Sequence, residues 1–277
     1  MKRIPGKKRR LGFTLVELLV ALGIFLIVTG AAFTLLGSSQ QRYQTESQVL
    51  TSFQEARLGL DQIVRDVNDS GFPPPTFSDG IPSHANQFAA SPFAWSPGYP
   101  GFPCQIGTAG GGTCTTGTPG NNSPGDFDLI VETNPNRQDP TSQVEWIRYK
   151  LVGTTLMRGV AGKVPSGDPD AVTSGAGSLV PFVQNVVNNV CLPQIPQCQT
   201  AFPGIFVGGN PVPIFSYTCD VGNASSPCPL AGASNSPTNV RDVIITLIVA
   251  APLPDATTGQ PRLVQLLGRG RRINPNQ

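Results

Sequence analysis

Only 13% of the 277 residues are charged, and Gly (31) and Pro (28) make up roughly a fifth of the chain, against about 12% usually. That mix suits a loop-rich, strand-rich extracytoplasmic domain better than a cytosolic enzyme, and the length allows one or two domains with a real core. The net charge of +2 is unevenly placed: Lys2, Arg3, Lys7, Lys8, Arg9 and Arg10 precede residue 13 with no acid among them. Without those six, 13 basic side chains face 17 acidic ones, a net charge of −4, so the body has no bulk attraction for nucleic acid or anionic lipid.

Residues 13–36 form an apolar run of 24 residues whose one ionisable group is Glu17. As a helix it is long enough to cross a hydrocarbon core of ~30 Å. The preceding positive charges should stay cytoplasmic, which leaves the rest of the chain outside. An ordinary secretory signal ends its shorter apolar core with an A-x-A-like site; here the small residue, Gly12, comes before the run. A carboxylate within the bilayer costs at least ~2.5 kcal/mol, so Glu17 marks a function and calls for a partner.

The stretch Lys8-Arg9-Arg10-Leu11-Gly12-Phe13-Thr14-Leu15-Val16-Glu17-Leu18 resembles the type III leader of type IV prepilins and type II secretion pseudopilins. The resemblance implies cleavage by a membrane prepilin peptidase between Gly12 and Phe13, and N-methylation of Phe13. It also implies that Glu17, five positions into the mature chain, pairs with the terminal amine of a neighbouring subunit. Gly23 and Gly30 lie within the span, where they permit close helix packing or local melting. Many family members have a helix-bending proline at the position held here by Thr34.

Beyond Leu36 a helical stripe continues. Tyr43, Val49, Leu50, Phe53, Ala56, Leu60, Ile63, Val64 and Val67 recur at three- and four-residue steps. Asn68 to Gly71 and then Pro73-Pro74-Pro75 stop it, which predicts one helix over 13–69. Residues 70–125 follow with 21 Gly or Pro and a single formal charge, Asp79. Phe88, Phe93, Trp95, Tyr99 and Phe102 in this insertion call for something to pack on, either the chain's own head or a neighbouring subunit.

Strand signals come next, at 128–132, 144–151, 155–160, 240–250 and 263–267. Ile147, Tyr149 and Leu151 alternate onto one face, as do Val243, Ile245, Leu247 and Val249. A hairpin across Gly153-Thr154 is expected, and 178–190 is compatible with a strand or a short helix. The predicted fold is α+β and pilin-like, with an antiparallel meander packed on the long helix. The division is 1–12 leader, 13–36 membrane and assembly helix, 37–69 amphipathic continuation, 70–125 insertion and 126–277 β-rich head.

The head is similar to PilW-like minor pilins and J-type pseudopilins in three stretches. These are Asp66-Val67-Asn68-Asp69-Ser70-Gly71-Phe72, Trp146 to Leu151 with Leu156-Met157-Arg158, and Pro213-Ile214-Phe215-Ser216-Tyr217.

All six cysteines lie beyond the apolar run, where an even count implies disulfides. Six cysteines allow about 15 pairings; the economical expectation is local pairing of Cys104 with Cys114, Cys191 with Cys198 and Cys219 with Cys228, each worth ~2–3 kcal/mol through restriction of the unfolded chain. With no C-x-x-C and one distant histidine, a zinc site is not expected. A catalytic triad would have to use His84, and Gly110-Gly111-Gly112 lacks the lysine of a phosphate loop. Asp126 with Asp128, or Asp168 with Asp170, read as ordinary loop acids in preference to a calcium site. Arg269, Arg271 and Arg272 read as a solvated basic tail in preference to a DNA contact.

The expectation is therefore a non-enzymatic minor pilin or pseudopilin acting in filament assembly, without cofactor, metal or nucleic acid. Its implied partners are other major and minor pilins or pseudopilins, the prepilin peptidase, the inner membrane and its assembly platform. It would reside in the bacterial inner membrane with a periplasmic head, then in a periplasmic or surface filament. The alternatives are a membrane-anchored enzyme or binding protein with an uncleaved signal anchor, and an adhesin-like pilin.

Overall fold

The computed structural model describes residues 14–74, 87–95, 125–136, 143–175, 177–221, 224–228, 237–255 and 259–272. The chain divides into two units, 1–47 and 48–277. From residue 15 the first consists of helix, the opening part of α1 (Leu15–Asn68). None of its described side chains is buried.

In the second unit α1 buries Ala56, Gly59, Leu60, Ile63, Asp66 and Val67, the three- and four-residue spacing of a single helical face. The helix stops where the sequence predicts. Ser70 N–H donates back to Val67 O, and Gly71 takes φ +77°, a conformation open to glycine at little cost. Thr133 Oγ1 then donates to Asp69 O at 2.7 Å, fixing the helix end to the first sheet.

That sheet is an antiparallel meander of β1 (Asp128–Thr133), β2 (Glu145–Val152), β3 (Thr155–Gly162) and β4 (Leu179–Val183). Val152 pairs with Thr155 across Gly153-Thr154, and Gly153 holds φ +60° at the first loop position, where a type II′ hairpin needs glycine. The undecided stretch 178–190 begins with β4, a strand.

The second sheet departs from the expected single meander. It comprises β5 (Phe215–Val221), β6 (Ala224–Pro227), β7 (Val240–Pro254) and β8 (Pro261–Arg271) in the order β6-β5-β7-β8. The reason is the length of β7. On one edge its first half pairs with β5, matching Phe215 to Ile245 and Tyr217 to Val243. Its second half takes the chain that leaves β4: Val186 bridges Val249, and Val187 N–H donates to Ile248 O at 2.8 Å. One long strand thereby couples both sheets.

Asn188 extends this pairing with its side chain. Its amide donates to Thr246 O (2.8 Å) and Val212 O (3.0 Å), while its Oδ1 accepts from Ile248 N–H (2.8 Å). A buried backbone edge is thus satisfied where no further strand reaches it.

The main core lies between α1 and both sheets, and Leu60, Ile63 and Val67 meet Ile147, Tyr149, Val243, Ile245 and Leu247 there. Close approach of the helix depends on glycine. A Cβ on Gly270 would lie 2.5 Å from Val67 Cγ1, and one on Gly268 2.7 Å from Leu60 Cδ1.

The other face of β2 is buried as well. Trp146 packs with Ala94, Trp95 and Ile130, and residues 92–94 run along the free edge of β1 through a Phe93–Val131 bridge. The described part of the insertion therefore packs on its own head and covers a sheet edge that would otherwise invite pairing. A third cluster, Val187, Leu192, Ile195, Cys198 and Phe206, covers Ile248 and Ala250 on the far side of β7.

Candidate functional site

Gly12 and Phe13 lie outside the described residues, as do Cys104, Cys114, His84 and Gly110 to Gly112. The described chain opens on Thr14, just before the first helical residue, Leu15. Thr14 N–H and Oγ1 both donate to Glu17 Oε2 at 2.9 Å, and Glu17 N–H donates to Thr14 Oγ1 at 3.3 Å. This is a reciprocal capping box, satisfying two of the donors that every helix start leaves open. Glu17 therefore has a partner within its own chain. The negative end also sits where the helix dipole favours it. Sequence reasoning passed over Thr14, although Thr-x-x-Glu before an apolar run is the written form of the motif.

After the cap, apolar side chains point outward on every side: Leu15 is 76% exposed, Ile27 74% and Phe33 68%. The helix is long and apolar enough to cross a membrane. A Cβ placed on Gly23 or Gly30 would meet nothing within 4 Å, so these glycines leave shallow places on an uncovered surface. At Thr34 the helix is unbroken. Thr34 Oγ1 donates to Ala31 O at 2.8 Å, which hides the hydroxyl within the helix's own backbone.

In the head, several buried charges are committed to one another. Arg148, fully buried, gives its fork to Asp128 (Nε–Oδ1 2.9 Å, Nη2–Oδ2 2.6 Å) and Nη1 to Asp170 Oδ1 (2.6 Å) and Ser174 Oγ. Asp168 Oδ1 caps α2 (Pro169–Thr173) by accepting Asp170 N–H. The acids weighed as two calcium pairs thus divide differently. Asp128 and Asp170 converge on a guanidinium, and burial is what pushes the carboxyls of Asp126 and Asp128 above their ordinary range. Among the described residues no group of three His, Cys, Asp or Glu is placed to hold a metal ion.

Glu132, also fully buried, accepts from Lys163 Nζ (2.8 Å), Trp146 Nε1 (3.0 Å) and Ala90 N–H (2.8 Å). It pins the insertion to the sheet. Burial raises its carboxyl above the usual range, against the pull of the Lys163 ammonium. Asp66, on α1, accepts from Tyr149 Oη (2.5 Å) and Arg158 Nη2 (3.2 Å), tying the helix to β2 and β3. Burial, with Asp66 beside it, drives the Tyr149 phenol far above its ordinary value.

The arginines read as a solvated tail are structured: Arg269 and Arg271 belong to β8, and Arg272 follows it. Arg269 Nη2 meets Asp242 Oδ2 at 2.7 Å, and Arg272 Nη2 meets Asp220 Oδ2 at 2.5 Å. A local charge pattern could not reveal these partners, which come from β5 and β7.

Two disulfides stand in the described head. Cys191–Cys198 has Cα atoms 5.6 Å apart and closes the loop of the third cluster. Cys219–Cys228 has Cα atoms 5.5 Å apart and staples β5 to the end of β6.

Residues 7–33 match the family model for the prokaryotic N-terminal methylation motif. No curated protein and no solved structure shows significant similarity to the chain. The methylation motif, placed at the start of a long apolar helix whose later turns pack on antiparallel sheets, indicates a type IV pilin- or pseudopilin-like protein.

Proposed function

We propose that the chain is a minor pilin or pseudopilin of the PilW-like or J-type kind, working in the assembly or initiation of a type IV pilus or type II secretion filament. The precursor enters the inner membrane through residues 13–36, with the leader 1–12 inside and the head outside. Prepilin peptidase cuts between Gly12 and Phe13 and methylates Phe13. The assembly platform then extracts the subunit into a filament with other pilins. The role is structural, not enzymatic.

The observation that carries this reading is the start of α1. The matched methylation motif contains a single capped carboxylate, Glu17, and runs into apolar turns that no described residue covers. In a plain anchor Glu17 would serve only to cap the helix, although an apolar residue there would insert more cheaply. An assembly helix has a further use for it. The capping box accounts for how Glu17 is held in the lone subunit, and a protonated methylamine from a neighbour then completes the neutralisation in an apolar filament core.

The test is processing. Gly12→Val places a branched side chain beside the scissile bond, where the peptidase needs a small, flexible residue. Full-length precursor should accumulate in the inner membrane, whereas wild-type protein should show N-methylated Phe13 at its amino terminus by mass spectrometry. Processed product of normal size from the variant would overturn the leader reading, and a wild-type chain of full length without methylated Phe13 would leave the uncleaved signal anchor.

A further inference from the structure

The sheet of β5 to β8 has one face on α1; among the described residues the third apolar cluster covers the opposite face around Ile248, Ala250 and Leu263. Register places Ser216, Ile244 and Arg269 in one row across that opposite face, with Thr246–Leu267 and Asp242–Arg271 as the neighbouring pairs. Ile244 is 37% exposed and Leu267 67%, and the Arg269 and Arg271 side chains are 61% and 55% exposed.

Asp242 lies wholly buried beneath this surface. Its Oδ2 accepts from Thr218 Oγ1 (2.8 Å) and Arg269 Nη2 (2.7 Å), and Arg271 Nε stands 3.9 Å from its Oδ1. The buried carboxylate thus holds the Arg269 guanidinium by a hydrogen bond and attracts that of Arg271 through charge alone, and both guanidiniums keep donors directed at solvent. Across the same end of the sheet, Arg241 and Arg272 share Asp220 at 3.5 and 2.5 Å. Four arginines against two aspartates leave a surplus of two positive charges.

An apolar centre flanked by held arginines has the make-up of a protein interface: aliphatic contact at the middle, forked donors at the rim, and little side-chain freedom left to lose. Nucleic acid fits less well, because half of the positive charge is already neutralised and no aromatic side chain stands in the row to stack a base.

Resting on the filament-subunit reading above, we propose that this face docks the head onto an acidic surface of another methylation-motif subunit. The partner's carboxylates meet Arg269 and Arg271, and an aliphatic side chain of the partner meets Leu267 and Ile244.

The test places a benzophenone amino acid at 267 in the full-length chain, irradiates cells and maps the adduct by mass spectrometry. The expected adduct joins residue 267 to an Asp- or Glu-bearing peptide of another pilin-type subunit. Arg269→Glu with Arg271→Glu should lower its yield by about tenfold, because like charges then face each other. Lys at both positions should keep most of it. Ser216→Glu, which adds charge to the same row without touching Asp242, should lower the yield in a head whose fold is undisturbed. Adducts with lipid or nucleic acid alone, or a yield unchanged by both charge variants, overturn the docking. A chain present in sheared filaments that gives no subunit adduct overturns the docking alone. A chain that never enters filaments overturns the subunit reading and the docking together.

Discussion

Two stretches of one helix have opposite fates. Residues 15–36 are apolar on all sides and none is buried, whereas residues 56–67 are apolar along one stripe and bury most of it. The difference lies in how hydrophobicity is arranged, not in how much helix forms. A one-sided stripe is satisfied by a single protein surface, and fully burying each large aliphatic on it contributes roughly 1.5–3 kcal/mol. Apolarity on every side can be satisfied only by surroundings that reach the whole circumference, such as lipid or a ring of other helices. The stretch 15–36 therefore leaves its burial to surroundings outside the chain, while 56–67 achieves it within the chain. Glu17 and Asp66 repeat the contrast. One is held by a neighbour three residues away, the other by Tyr149 and Arg158 from distant strands.

That contrast breaks most severely at Gly270. Gly270→Val would put Cβ 2.6 Å from Val67 Cβ, a contact with atoms fixed to the helix backbone that cannot swing aside. Overpacking of this kind costs about 1–3 kcal/mol, and a rigid neighbour argues for about 3. The head should unfold at clearly lower denaturant, while membrane insertion through 15–36 stays at the wild-type level in carbonate-washed membranes. Loss of both together would show that the two stretches are not independent.

A slightly smaller effect is expected at Asn188. Asn188→Ala strands Ile248 N–H and Thr246 O in the interior, and each unmet backbone group costs about 1–3 kcal/mol, with partial relaxation bringing the sum to about 2–3. Denaturant melts of the detergent-solubilised full-length protein measure it. A change below about 0.5 kcal/mol, the range of ordinary surface substitutions, would mean that the Asn188 side chain does not hold the two halves of the head together.

The mildest and most discriminating change is Glu17→Gln. Gln can accept from Thr14 as Glu does, so the capping box survives and only the charge is lost. Insertion and cleavage after Gly12 should be unaffected, while co-purification with sheared filaments falls severalfold. On the minor-subunit reading proposed above, the contact is made few times in a filament, so the loss should be partial. Incorporation at the wild-type level would remove charge pairing as the reason for Glu17 and leave capping in its place. Glu17→Leu, which loses both, should be no better than Glu17→Gln.

How much was legible depended on how far apart the interacting residues lie. The helix, its end near Asn68, the β2–β3 hairpin and the alternation in β7 were written in local pattern, with apolar spacing of 3.6 or 2 and glycine at the turn. The role of Thr14 was also local and was overlooked. Other features rest on residues separated by dozens of positions. The Asp128–Arg148–Asp170 cluster gathers acids that seemed to belong to separate loops, and the Asp242–Arg269 pair turned an apparent tail into part of a strand. The 92–94 edge strand could not be read from a Pro-rich insertion, because its partner, β1, lies more than 30 residues on.

The sequence alone determined the apolar start with its one carboxylate, the methylation motif, the helix that changes from uniform to one-sided apolarity, and the α+β class. Each of these is carried by neighbours in the chain, whose spacing is set by covalent geometry. Tertiary structure alone decided that the chain leaving the first sheet bridges to β7 of the second, that both faces of β2 are covered, and that the arginines of β8 stand over a buried aspartate. Those outcomes depend on which distant strands come to lie side by side, and the free energy of that choice is spread over the whole core.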